Sequence, residues 1–228
     1  MHIHWLQHAD FEDLGCIEPW LAARGHVVSG SRLHAGETPL PVAAFDALIV
    51  LGGPMNIYAC HEHPWLRTEK ALIRTAIDQG RRVLGICLGA QLIADVLGGP
   101  VSRNAEPEIG WFEVELNEAG RAEPLFAGLP PRFTAFHWHV DTYALPPGAT
   151  GLAHSAACAQ QAFSFDCGRV LGLQCHLEVT RDNAIEWFRH EAVTSSRYVQ
   201  TADAILADVD AFAANNAAMR AILERWLP

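Results

Sequence analysis

Apolar positions along this chain switch repeatedly between a strand-like and a helix-like period. Residues 1–8 (MHIHWLQH) read as a first strand, even with three histidines among them. Residues 11–24 carry an amphipathic helical pattern that stops at Gly25, and residues 26–33 return to a short strand. The run 44–54 (AFDALIVLGGP) is apolar up to a Gly-Gly-Pro turn, as expected of a strand buried on both faces. Residues 63–80 put Leu66, Leu72, Ile73 and Ile77 on one helical stripe and close on Gly80. Residues 81–87 (RRVLGIC) are another short apolar strand, and 88–99 a helix closed by Gly98-Gly99. Strand, helix, strand in this repeated order predicts a parallel sheet with helices on both faces.

The second half breaks the rhythm. Residues 109–117 and 132–144 alternate like antiparallel or edge strands. Residues 163–176 (FSFDCGRVLGLQCH) read as a hairpin, with Asp166-Cys167-Gly168 at its turn and His176 at its end. Residues 181–198 and 201–227 read as helical. The last of these is Ala-rich and needs a packing partner, within the chain or across a dimer. With no repeats and no low-complexity linker, residues 1–228 are expected to form a single domain with a C-terminal helical extension over 201–228.

Composition narrows the classes. The chain has 228 residues, 50% hydrophobic and 18% charged, enough for one α/β core and too small for two ordinary domains. Its net charge of -10 repels phosphate backbones, which argues against nucleic acid as a partner. The start has no basic stretch followed by an apolar run. The longest apolar stretches, such as that near 43–53, are far short of a membrane span. A cytoplasmic protein without membrane contact is expected. Six cysteines without a C-x-x-C pair read as free thiols in a reducing compartment.

One cysteine has chemically suggestive neighbours. Gly85-Ile86-Cys87-Leu88-Gly89 sits where a strand feeds a helix, the thiol form of the Gly-x-Ser-x-Gly nucleophile elbow. The two glycines clear space around a sharp, strained bend. The helix N-terminus favours thiolate, and the Leu88 N–H can point at a developing oxyanion. Gly53, in the Gly-Gly-Pro turn, is the candidate second donor. His176, at the end of the later apolar strand, and Glu178, two residues on, are placed to act as base and orienting carboxylate.

Gly-Gly-Pro, Gly-Ile-Cys-Leu-Gly-Ala-Gln and Gln-Cys-His-Leu-Glu-Val-Thr, in this order, resemble the class I (triad) glutamine amidotransferases. Within them the chain is most similar to the stand-alone group akin to the glutaminase domain of GMP synthetase. Glu108-Ile109-Gly110-Trp111 and Phe136-His137-Trp138-His139-Val140-Asp141 support that subgroup. The resemblance implies a flavodoxin-like, doubly wound, mostly parallel sheet with a small antiparallel edge sheet. It implies a Cys87–His176–Glu178 triad, oxyanion donors on the backbone of Gly53 and Leu88, and Gln91, His139 and Asp141 near the substrate. Val140 stands where relatives often carry Gly, and Cys175-His176-Leu177 replaces a commoner Phe-His-Pro.

The implied activity is hydrolysis of the γ-amide of glutamine or a related γ-glutamyl compound through a cysteine thioester, with no cofactor. The ammonia passes to a separate synthetase subunit, or the chain acts alone as a γ-glutamyl hydrolase or peptidase. A cysteine peptidase of the same superfamily is disfavoured, because its His typically follows the elbow Cys directly, and here Leu88 does. A silent binding module is the reading of another class. The paired histidines at 2/4, 61/63 and 137/139 could chelate, but no cysteine or carboxylate stands at ligand spacing along the chain, so no metal is expected.

Overall fold

The computed structural model describes residues 1–227. In chain order the elements are β1 (His2–Gln7), α1 (Ile17–Ala23), β2 (Val27–Arg32), β3 (Ala47–Val50), α2 (Trp65–Asp78), β4 (Arg82–Ile86) and α3 (Leu88–Val96). Then come β5 (Val101–Leu116), α4 (Glu118–Ala122), β6 (Arg132–Tyr143), β7 (Thr150–Ser155), β8 (Ala162–Phe165) and β9 (Val170–Leu173). The chain finishes with α5 (Arg181–His190), α6 (Ala202–Ala207) and α7 (Val209–Trp226).

All nine strands join one sheet in the order β2-β1-β3-β4-β9-β8-β7-β5-β6. Strands β2, β1, β3, β4 and β9 are parallel, the doubly wound order of a flavodoxin-like core. From β9 outward every pairing is antiparallel, so the expected antiparallel edge continues the main sheet. The apolar runs explain the layout. Ala47–Val50 and Val83–Ile86 are fully buried because helices cover both faces. One face packs against α1 and α7 through Ile17, Leu21, Met219, Ile222 and Trp226. The other packs against α2 and α3 through Ile73, Ile77, Leu92 and Ile93.

Three expected helices differ. The helix expected over 11–24 begins only at Ile17. Gly15 is at φ +49 with a hydrogen bond to the Asp13 carboxylate, and a Cβ there would sit 2.3 Å from the Glu178 carbonyl oxygen. Residues 11–16 therefore fold as turns against the segment after β9, and Cys16 N–H donates to that same carbonyl at 2.9 Å. The helix expected over 181–198 ends at His190. The weak helix formers Val193-Thr194-Ser195-Ser196 lie beyond it, and Val199 pairs beside Ile109. The final helix is two, because Asp208 leaves helical geometry and caps α7 by accepting from Ala211 N–H. Its packing partner is this chain's own sheet. Strand β7 and helix α4 were not foreseen.

Candidate active site

Cys87 occupies the bend between β4 and α3 at φ 50, ψ -106, a conformation rare for any residue with a side chain. Its two glycines explain why the bend closes. A Cβ on Gly85 would lie 2.5 Å from the Gly89 backbone, and one on Gly89 would lie 2.0 Å from the Val50 carbonyl oxygen. The elbow therefore packs directly on β3. The carboxyl ends of β3, β4 and β9 are neighbours, so Gly53, Cys87 and His176 converge from three separate segments. A Cβ on Gly53 would meet the Leu88 side chain at 2.7 Å, so the Gly-Gly-Pro turn packs beside the first residue of α3. The first N–H groups of a helix, such as Leu88's, have no partner inside it.

His176 is almost wholly buried. Its Nδ1 hydrogen-bonds Glu178 Oε1 at 2.7 Å, which leaves Nε2 for the sulfur. Burial opposes charge on this ring, but the Glu178 carboxylate and the Cys87 sulfur together raise its pKa well above 6.5. The arrangement can hold a thiolate–imidazolium pair and later release the imidazolium proton.

Of the residues expected near substrate, Gln91, His139 and Asp141 all line the cavity above Cys87, which has a volume of about 590 Å³. Their contacts refine what each can do. Gln91 Nε2 donates to the Asp141 carbonyl at 3.2 Å and to Gln174 Oε1 at 3.1 Å. Gln174 Nε2 in turn approaches the Cys87 sulfur at 3.6 Å. His139 has both ring nitrogens engaged, one by the Asp141 carbonyl at 3.0 Å and one by Glu108 at 3.1 Å. The Asp141 carboxylate accepts from Asn56 Nδ2 at 2.8 Å and lies 3.9 Å from Arg103, so it faces the cavity with a cation beside it.

Several residues at the site had no signal in the sequence pattern. Glu12 lines the same cavity from the 11–16 turn. A Cβ placed on Gly52 would lie 2.2 Å from Glu12 Oε2 and 3.0 Å from His176 Cε1, so the carboxyl and the imidazole edge meet over that glycine. Burial lifts the Glu12 pKa from 4.5 to about 7, against the pull of His176 and His8. His8 supports the Gly52-Gly53-Pro54 turn: its ring bonds the Gly52 carbonyl and Glu69 Oε1, both at 2.7 Å. Asn215 and Asn216 of α7 hold the His176–Val179 segment from behind. Asn215 Nδ2 donates to the His176 carbonyl at 2.9 Å, and Asn216 Nδ2 to the carbonyls of Leu177 and Val179.

The histidines are also accounted for differently. His4 bonds Ser29 at 2.8 Å and stacks on Phe45, and His63 packs against Trp65. Around His137 and His139 the fold supplies a carboxylate that stands at no ligand spacing along the chain. Glu108 reaches both from the neighbouring strand, a proximity that linear spacing hides.

Known proteins share this architecture. The family profile described as Glutamine amidotransferase class-I matches residues 25–194. The chain belongs to the class I glutamine amidotransferases. It is accordingly an enzyme of that family. It is 41% identical over 184 residues to the glutamine amidotransferase-like protein YfeJ of Salmonella typhimurium, covering 79% of this chain and 77% of that one. It is 34% identical over 161 residues to a subunit of the glutamine-hydrolyzing GMP synthase of Sulfurisphaera tokodaii, covering 68% and 79% respectively. The structure of a glutamine amidotransferase from Thermotoga maritima superposes with a TM-score of 0.90 at 29% identity, over 99% of this chain and 97% of that one.

Proposed function

We propose that this amidotransferase hydrolyses γ-glutamyl amides through a thioester on Cys87. The observation that carries the reading is the strained elbow cysteine beside a buried imidazole bonded to a carboxylate, all opening on one cavity. The Cys87 thiolate attacks the δ-carbonyl, and the oxyanion forms between the N–H groups of Gly53 and Leu88. His176 gives its proton to the departing nitrogen as the C–N bond breaks, releasing ammonia or an amine. Water then attacks the thioester, returns a proton to His176 and frees glutamate. Glu178 fixes the imidazole tautomer, and Gln91 with Gln174 holds the sulfur in place. Asp141 is placed to take the substrate ammonium, with Arg103 beside it for the α-carboxylate.

The cavity favours independent action on γ-glutamyl conjugates. It is larger than glutamine needs, and Phe11, Ile109, Trp138, Trp187 and Val193 give it an apolar side that suits the amine half of a conjugate. The alternative is delivery of ammonia to a separate synthetase, as the name of the Sulfurisphaera tokodaii relative suggests. Turnover of glutamine and of a γ-glutamyl aryl amide by the purified chain tests both readings. Hydrolysis of the aryl amide at higher kcat/KM than glutamine, with no partner added, supports independent action. Turnover of glutamine alone, and only after a synthetase is supplied, overturns it. Loss of both activities in Cys87→Ser supports the nucleophile in either case.

A further inference from the structure

Behind the substrate cavity, on the far side of His139, Glu108, His137 and His139 converge in a buried cluster. On β6, positions 137 and 139 point to one face, and the β5–β6 register sets Glu108 opposite His139 and Gly110 opposite His137. The register shifts between Arg103 and Glu108, and the pairing beyond that irregularity is the one that sets Glu108 beside His139. All three residues are buried. His139 Nε2 lies 3.1 Å and His137 Nδ1 3.4 Å from the same oxygen, Glu108 Oε2. Two ligands of a tetrahedral zinc ion at about 2.0–2.1 Å are separated by roughly 3.3 Å, the spacing seen here.

Proton placement points the same way. The Asp141 carbonyl can only accept, so His139 Nδ1 carries the hydrogen of that 3.0 Å bond. Its Nε2 then turns a lone pair towards a carboxylate oxygen, unless a proton or a metal lies between them. A histidine that donates through one nitrogen to a carbonyl and offers the other inward is the usual oriented metal ligand. His137 has no hydrogen-bond partner on either nitrogen among the described residues. Glu108 Oε1 and Gln161 Oε1 are unpartnered too. Four of the nine buried, unpartnered side-chain polar atoms among the described residues thus lie in this one cluster. Gln161 Nε2 is 2.7 Å from Glu108 Oε2, and turning its amide over would offer Oε1 as a fourth ligand.

We propose that Glu108, His137 and His139 bind one divalent transition-metal ion, with zinc the best match to this donor set and spacing. The ion has a structural role. It ties β5 to the stretch of β6 that carries the Trp138 carbonyl, 3.7 Å from the Cys87 sulfur, and Asp141. It takes no part in the reaction.

The test is cobalt(II) titration of chelator-stripped protein, with zinc-dependent melting alongside. One equivalent of cobalt should bind with the visible bands of a four-coordinate nitrogen–oxygen site and without a thiolate charge-transfer band. Zinc at about a hundredfold above Kd should raise Tm by about 5–10 °C. His137→Asn and Glu108→Gln should each lose the bands and the shift, while a His61→Ala/His63→Ala double variant keeps them. Should either cluster variant fail to fold, the wild-type cobalt spectrum still decides between nitrogen–oxygen and thiolate ligation. Folded wild type that binds no cobalt would show a metal-free His139–Glu108 ion pair and overturn the proposal. So would a thiolate band, or binding unchanged in both cluster variants.

Discussion

Replacing Glu12 by Gln isolates the cost of burying a charge beside His176. In the folded protein the Glu12 carboxyl is buried with a pKa raised from 4.5 to about 7. The sign follows from linkage: a raised folded pKa contributes stability that is whole below pH 4.5 and is lost as pH rises through about 7. The shift from 4.5 to about 7, at about 1.4 kcal/mol per unit, corresponds to about 3 kcal/mol at pH 8. Gln resembles the protonated carboxyl in shape and polarity, so Glu12→Gln should match wild type near pH 4.5 and exceed it at pH 8. For a chain of this size that gain is about 6–12 °C in Tm. Thermal or urea unfolding of both proteins at the two pH values measures it. An equal difference at pH 4.5 and pH 8, or a Gln variant less stable at pH 8, would refute the reasoning, because neither can come from ionisation at this site.

Asn215→Ala should destabilise by about 2–4 kcal/mol, because it strips partners from the buried His176 carbonyl and the Phe136 N–H; urea unfolding reads the loss, and kcat should fall with it. Asp141→Ala should lower kcat/KM for glutamine about 10- to 100-fold while leaving the rate of alkylation of Cys87 by a small reagent near normal. Glu69→Gln removes the carboxylate partner of a fully buried His8 and should cost about 3–5 kcal/mol. Burial opposes charge on His8, but Glu69 raises its pKa above 6.5, so the loss should be full below pH 6.5 and shrink as pH rises through the raised value.

What the sequence disclosed depended on how local the cause was. The elbow was legible because its glycines are forced by contacts within a few residues and with the preceding strand. His176 and Glu178 were legible because they follow an apolar strand by a fixed short step. The turn at 11–16 was misread as helix because its apolar spacing is helical, while the Gly15–Glu178 contact that overrides it is long-range. Glu12 and His8 were unreadable for the same reason: both are ordinary residues whose burial comes from distant segments. Glu108 and the 137/139 pair lie far apart in sequence and meet only through the β5–β6 register, which a bulge resets. Asn215 and Asn216 lie in an Ala-rich helix whose pattern marks neither of them, yet they bond the carbonyls of His176 and Leu177.

The central claim is that Cys87, activated by His176, forms the γ-glutamyl thioester. Intact-protein mass spectrometry with peptide mapping tests it, using a glutamine analogue that bears an electrophilic ketone in place of the carboxamide. The account predicts one adduct per chain, located on Cys87, formed rapidly in wild type and far more slowly in His176→Ala. An adduct on Cys16, Cys60, Cys158, Cys167 or Cys175 with Cys87 free, or ammonia release from glutamine that persists in Cys87→Ser, would contradict it.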